Sequence, residues 1–432
     1  MKNEELIKRD LEHIWHPCTQ MKDHESLPLI PIKEGRGVYL YDFEKNRYLD
    51  AISSWWVNIF GHSNEYINSK IKEQVEKLEH VIFAGFTHEP IVRLSERLVK
   101  ITPKGLNKCF FADNGSSAIE VAIKMSFHYH KNRGKIKPFF LSLTNSYHGE
   151  TLGALAVGDV GLYKDTYKEI LIKTIQTPVP KDESLESAKE ALIEFEKTVE
   201  KYEEKISAFI FEPLVQCAGY MHMYHPYFLK EAYKICKERD IHLIADEIAV
   251  GFGRSGEMFA CDIAGISPDF MALSKALTGG YLPLSVVLTT DEIYQAFYCD
   301  YLEMKAFLHS HSYTGNPLAC SAANAVLDIF EKEKILEKNR EKSKYIYEKL
   351  QKFKELPNVK EIRQRGMIAA VELKGYDFKE RVNLKIFKFA TKNEVLLRPL
   401  GHVIYFMPPY IIKKDEIDKM IDVAYEAVKS LL

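Results

Sequence analysis

Three short segments carry side chains whose types and order suit one piece of chemistry. In FADNGSSAIEVAIK (111–124) an apolar run ends at Ala112, and Asn114-Gly115-Ser116-Ser117 turns into a helical pattern. Such a turn offers free backbone N–H groups, hydroxyls and the positive end of a helix dipole, the groups that hold a phosphate. Taken alone, the same residues are an ordinary helix cap. In HLIADEIAVGFGRSG (242–256) an apolar strand leads into Asp246 and Glu247. Ligands of open α/β sheets sit at the carboxyl ends of strands, where a buried aspartate can pair with a protonated ring nitrogen. A cap or structural ion pair is the plainer account of a lone Asp-Glu. In DFMALSKALTGGYLPLS (269–285) Lys275 directly follows another apolar strand. Burial lowers the pKa of an amine and makes it a nucleophile toward an aldehyde. A single lysine at a strand end is otherwise a surface residue.

The order changes that balance. Phosphate turn, acid and lysine follow one another, each at the carboxyl end of a predicted strand, so all three meet along one sheet edge. Tyr147-His148-Gly149, after the strand PFFLSL, adds an aromatic ring at that edge. Together these are the parts of a pyridoxal phosphate site, in which the acid keeps the pyridinium charged and the ring becomes an electron sink.

The elements that must position these residues are legible as a pattern. Apolar runs at 108–112, 138–143, 207–213, 242–247, 269–274 and 284–290 alternate with amphipathic stretches such as Ser117–Tyr129 and Pro226–Arg239. Alternation of this kind predicts an α/β fold with a mostly parallel sheet covered on both faces. Before it, GVYLYDFEKNRYLDAIS reads as a hairpin after a short helix and a loop. After it, residues 331–356 predict one long, charged surface helix. Strands at 367–373 and 395–399 and a final helix over Lys414–Leu431 follow. The stretch 181–205 predicts another surface helix.

Composition narrows the partners. The 59 basic and 61 acidic residues nearly balance, which gives no support for nucleic acid or an anionic membrane as partner. No segment approaches the run of about 20 apolar residues that a membrane helix needs, and the first residues hold no apolar core of signal-peptide length. Seven cysteines without a CxxC pair predict neither a disulfide framework nor a structural zinc site, and a cytoplasmic setting. No metal is expected.

With NGSSAIEVAIK, YHGET, FEPLVQ, LIADEIAVGFGRSG, SKALTGG and TGNPLACSAA in place, the chain resembles the class III aminotransferases over nearly its whole length. These are fold type I pyridoxal-phosphate enzymes. The resemblance implies a large cofactor domain over 64–328 with a mostly parallel seven-stranded sheet. A smaller α+β domain would be built from both termini, 1–63 and 329–432. Within the family, IWHPCTQM (14–21), SSWWVNIFGH (53–62), HSHSYTGNPLAC (309–320) and LLRPLGHVIYFMPPY (396–410) are similar to the branch serving biotin biosynthesis. That branch converts 7-keto-8-aminopelargonate to 7,8-diaminopelargonate by ping-pong transfer from an amino donor.

What the resemblance implies for single residues is specific. Lys275 would be the Schiff-base lysine and Asp246 the partner of the pyridinium nitrogen. Gly115 and Ser116 would bind the phosphate. Ser312, with His311 beside it, would reach the phosphate of the partner subunit in a homodimer with shared active sites. Tyr147 and Trp55 would line the substrate site, with Ser310 near the keto acid, and Arg398 would pair with its carboxylate. An arginine fork suits a carboxylate, and a tryptophan offers an apolar wall with one N–H to spare. One of Trp55 and Trp56 is expected in the core and the other at the site. Cys18 stands where the family's entrance motif has an aromatic, typically a tyrosine associated with the adenosylmethionine donor. The expected donor is adenosylmethionine, with lysine as the alternative. The rivals are an ω-aminotransferase of the 4-aminobutyrate or ornithine type, an aminomutase, and a cofactor-binding protein without catalysis.

Overall fold

The structure is a computed structural model and describes residues 2–432. The chain divides into two compact units. One comprises Tyr66–Glu341 with Gln364–Ile368; the other comprises the N-terminal residues to Glu65 with Lys342–Arg363 and Ala369–Leu432.

The larger unit is built on seven strands: β1 (Leu106–Ala112), β2 (Phe139–Leu143), β3 (Ile175–Thr177), β4 (Ile206–Phe211), β5 (His242–Asp246), β6 (Phe270–Leu273) and β7 (Ser285–Thr290). Their order is β1-β7-β6-β5-β4-β2-β3. β6, β5, β4, β2 and β3 run parallel. β7 is antiparallel to both its neighbours, β6 and β1. The carboxyl ends of β1, β5 and β6 therefore lie on one edge. Every residue of β4, β5 and β6 is buried, which is why these strands read as unbroken apolar runs. The helix Gly115–Asn132 lays Ala118, Ile119, Ala122 and Met125 into a core with Ile210, Ile244, Ala272 and Val287. Removing that apolar surface from water is the main force seating the helix on the sheet.

Two elements differ from expectation. The edge strand β3 spans three residues, too short for a strand pattern to register. The single helix predicted over 331–356 is two helices, Pro317–Glu333 and Ile335–Leu350, followed by a short 3₁₀ segment. Lys334 lies between them with φ 51°, and one left-handed residue ends a right-handed helix.

In the smaller unit, Tyr39–Asp42 and Arg47–Asp50 form the expected antiparallel hairpin. Its turn is closed by Asp42, whose Oδ1 accepts the N–H groups of Glu44 and Asn46 at 2.9 and 2.8 Å. Ile32–Arg36 and Val395–Leu396 complete a four-stranded sheet. Val395 and Leu396 pair in parallel with Leu49 and Asp50. Helices Val382–Lys392 and Lys414–Lys429 belong to the same unit. Among the described residues no helix is long and apolar enough to cross a membrane, and the seven cysteines are free thiols.

Candidate active site

The carboxyl edge of the seven-stranded sheet gathers a lysine, two carboxylates, an imidazole and a helix N-terminus. Lys275 follows β6 by way of Ser274 and has φ 45°. The protein packed round its amine pushes the pKa below the ordinary lysine value, and the nearby Asp246 carboxylate offsets part of that fall. Asp246 ends β5 and is buried. Its Oδ1 accepts the Ile248 N–H at 3.1 Å, and its Oδ2 lies 2.8 Å from His148 Nδ1. His148 Nε2 is buried without a hydrogen-bond partner. Glu247, next to Asp246, fits the plainer account: its two oxygens accept the N–H groups of Ala260 and Cys261 at 3.0 and 2.7 Å and cap the helix Ala260–Ala264. Burial raises its pKa to about 7.

Glu212 and His148 were not singled out in the sequence. Glu212 lies just past β4, fully enclosed, and accepts the N–H of Tyr147 at 2.9 Å and of Cys217 at 3.0 Å. Burial, and then the Asp246 charge, raise its pKa well above the usual carboxylate range. The only signals were its place in FEPLVQ and the middle position of Tyr-His-Gly, both read as family motifs rather than as single residues.

At the end of β1, Asn114 caps the helix Gly115–Asn132 by accepting the Ser117 N–H at 3.0 Å. Gly115 and Ser116 occupy the first helical positions, whose N–H groups have no acceptor inside a helix. The loop holding Tyr147 presses on this turn. Glu150 N–H donates to Ser116 Oγ at 3.3 Å, and a Cβ on Gly149 (φ 119°) would fall 2.0 Å from Ser116 Oγ. Tyr147 itself donates its hydroxyl to Glu150 at 3.1 Å and tilts against Tyr163. Lys275, Asp246, Tyr147, Gly115 and Ser116 thus belong to the larger unit and to one sheet edge. In the same unit, His311 lies with its Nδ1 3.7 Å from Asp113 and its Nε2 3.1 Å from His309 Nε2. Ser310 and Ser312 are exposed on either side of it.

The remaining three predicted residues lie in the smaller unit and meet there. Trp56 is buried, with its ring edge-on to Tyr405, whereas Trp55 is 41% exposed. The Arg398 guanidinium sits 5.3 Å from the Trp55 ring centre, a cation–π distance. Arg398 also donates to the carbonyl of Cys18 at 3.2 Å. Cys18 is exposed and has φ 49°.

A half-buried lysine of lowered pKa beside two buried carboxylates, Asp246 and Glu212, and a turn of free helix N–H groups is equipped to carry a reactive carbonyl compound bearing a phosphate. Comparison with known proteins agrees with this. The family model described as aminotransferase class III matches residues 20–428. The chain is 54% identical to the adenosylmethionine-8-amino-7-oxononanoate aminotransferase of Helicobacter pylori, over 97% of this chain and 96% of that protein. It is 43% identical to the Aquifex aeolicus protein of the same name, over 99% and 97%. The crystal structure of the Methanocaldococcus jannaschii protein of that name superposes with a TM-score of 0.95, 39% identity and 99% of each chain covered. A thermostable 6-fold mutant of an omega transaminase from Pseudomonas jessenii gives 0.94 at 27% identity, covering 99% of this chain and 98% of its own. Matched almost end to end in sequence and in fold, the chain belongs to the class III aminotransferases, a family of pyridoxal-phosphate-dependent transaminases.

Proposed function

We propose that this aminotransferase transfers an amino group from adenosylmethionine to 8-amino-7-oxononanoate, yielding the 7,8-diamine used in biotin biosynthesis. The observation that carries this reading is the identity of up to 54%, over almost the full length, to relatives bearing that name. Pyridoxal phosphate is the cofactor, and the residues at the sheet edge fit it. The Gly149 position leaves no room for a side chain against Ser116, so loop and helix turn form a closed cradle. Asp246 supplies a buried acceptor.

When bound, the cofactor contributes an aldehyde that carries the amino group and a ring that takes up an electron pair. The chain's own residues do the rest. Lys275 Nζ, whose pKa burial lowers, would hold the cofactor through its aldehyde carbon and would move the proton at the carbon bearing the transferred amine. Asp246, oriented by His148, holds the ring N–H. The N–H groups of Gly115 and Ser116 and the hydroxyl of Ser116 bind the phosphate, with His311 and Ser312 serving the partner's phosphate in a homodimer. Tyr147 covers the ring. Trp55 lines the aliphatic chain of the keto acid, Ser310 lies near it and Arg398 pairs with its carboxylate. Cys18 lines the approach of the donor. A cytoplasmic location accompanies this reading.

Cys18 favours one second reading, in which lysine is the donor, because a small thiol replaces the aromatic of the family's entrance motif. The test offers the purified holoenzyme adenosylmethionine and lysine separately, each with 8-amino-7-oxononanoate, and measures the diamine by mass spectrometry. Product with adenosylmethionine alone is expected. Product with neither donor overturns the assignment.

A further inference from the structure

Four consecutive non-glycine residues, Ser53, Ser54, Trp55 and Trp56, have φ values of 49°, 46°, 74° and 74°. With ψ of 55° at Ser54 and 43° at Trp55, the run is a turn of left-handed helix. Its backbone bonds close as a helical turn: Trp56 N–H donates to Ile52 O at 2.8 Å and Val57 N–H to Ser53 O at 3.0 Å. In L-residues this hand drives each Cβ toward the following carbonyl oxygen. With no glycine to relieve it, the conformation persists only where the surroundings over-determine it.

Asp50 is the group that does so. Its side chain has no exposed surface. Oδ1 accepts the N–H groups of Ile52 and Ser54 at 3.3 and 2.9 Å. Oδ2 accepts the Ser54 hydroxyl at 2.7 Å and lies 3.0 Å from His62 Nε2. His62 Nδ1 lies 2.9 Å from Asn58 Nδ2. An N–H on Nε2 would donate to Asp50. Two further anchors fix the ends: Ser53 Oγ donates to Met407 O at 2.7 Å, and the Trp56 ring is buried against Tyr405. A right-handed turn between the same ends would carry the Trp55 ring round in the opposite sense. The left-handed one sets it beside the Arg398 guanidinium.

We propose that Asp50, locked by His62, is a positioning residue for the keto acid: it holds the left-handed turn that presents Trp55 to Arg398. This rests on the reading above, in which Trp55 and Arg398 bind the keto acid. The strain is met when the chain folds, so the wall and the guanidinium stand ready before substrate arrives.

The test is a double-mutant cycle on the holoenzyme with Asp50→Asn, Trp55→Ala and the double variant, reading KM and kcat for the keto acid and the visible spectrum of the bound cofactor. Asp50→Asn should raise the keto-acid KM about tenfold. Its kcat should stay within about twofold and its spectrum should be unchanged. In the Trp55→Ala background the same substitution should add nothing. A fully additive effect, or an unaltered KM in Asp50→Asn, overturns the proposal. If Trp55→Ala itself leaves KM unaltered, the binding role of Trp55 fails instead. Should Asp50→Asn not fold, Ser54→Ala, which removes one of the four bonds to Asp50, takes its place in the cycle with the same outcomes.

Discussion

Lys275 carries two costs at once, a left-handed backbone angle and an amine enclosed by protein. The second is not explained by packing, because an apolar side chain of similar length would fill the same place without an amine to desolvate. Both are expected of a residue whose task is chemical. Lys275→Ala should therefore keep its fold, as read by circular dichroism, while turnover falls on the order of 10³-fold or more. Turnover within tenfold of the parent would remove Lys275 from the reaction. The residue scale is also where the sequence was least complete. Asp246 and Lys275 were legible because each stands at the carboxyl end of an apolar run. Glu212 and His148 were not, because their importance lies in what they touch: two loop N–H groups for one, the Asp246 carboxylate for the other.

At the scale of elements, the site depends on a loop pressed against the start of a helix. Gly149 has φ 119° and no room for a Cβ beside Ser116. Gly149→Ala would have to lift the Tyr147 loop from the phosphate turn. The affinity for pyridoxal phosphate should drop by at least about tenfold, measured by titrating the apoenzyme and following absorbance. An unchanged affinity would show that the contact is incidental. The strands that position this loop were readable in advance, since strands covered on both faces are continuous apolar runs. The break at Lys334 was not, because the polar stretch around it continues a helical pattern on both sides. Nor was the left-handed turn at 53–56: Ser-Ser-Trp-Trp holds no glycine, the usual sign of positive φ.

At the scale of the whole molecule, a histidine pair at the opposite edge of the large sheet makes one contribution to stability sensitive to acid. His130 and His242 stack with ring centres 4.5 Å apart, both buried. His242 Nδ1 lies 2.9 Å from Ser126 Oγ, and His130 Nε2 lies 3.2 Å from Ser207 O. The rings of Tyr129 and Phe270 close over His242. Asp240, with Lys135 and Lys137 on it, lies 3.9 Å from His130. Burial, reinforced by Lys137, lowers the His130 pKa to about 4, and burial holds His242 well below its ordinary value. Both rings are neutral in the folded protein, whereas the unfolded chain binds protons below about pH 6.5. Their contribution to stability is then complete above that pH and is lost as pH falls toward 4, by about 3 kcal/mol for His130 alone. Urea unfolding at pH 7 and pH 5 should show the loss, and His130→Gln should flatten it. An equal slope in that variant would assign the loss to other groups.

The pairing of Val395–Leu396 with Leu49–Asp50 has a consequence in time. In the same sheet, 347 residues separate Arg47 from its ion-pair partner Glu394. A ribosome adding about 5–20 residues per second needs roughly 20–70 s to cover that distance. Throughout that interval the hairpin and the Asp50-held turn lack the strand that completes their sheet. The sheet that carries the turn at 53–56 is thus completed only after the strands that carry Lys275 and Asp246 have been made.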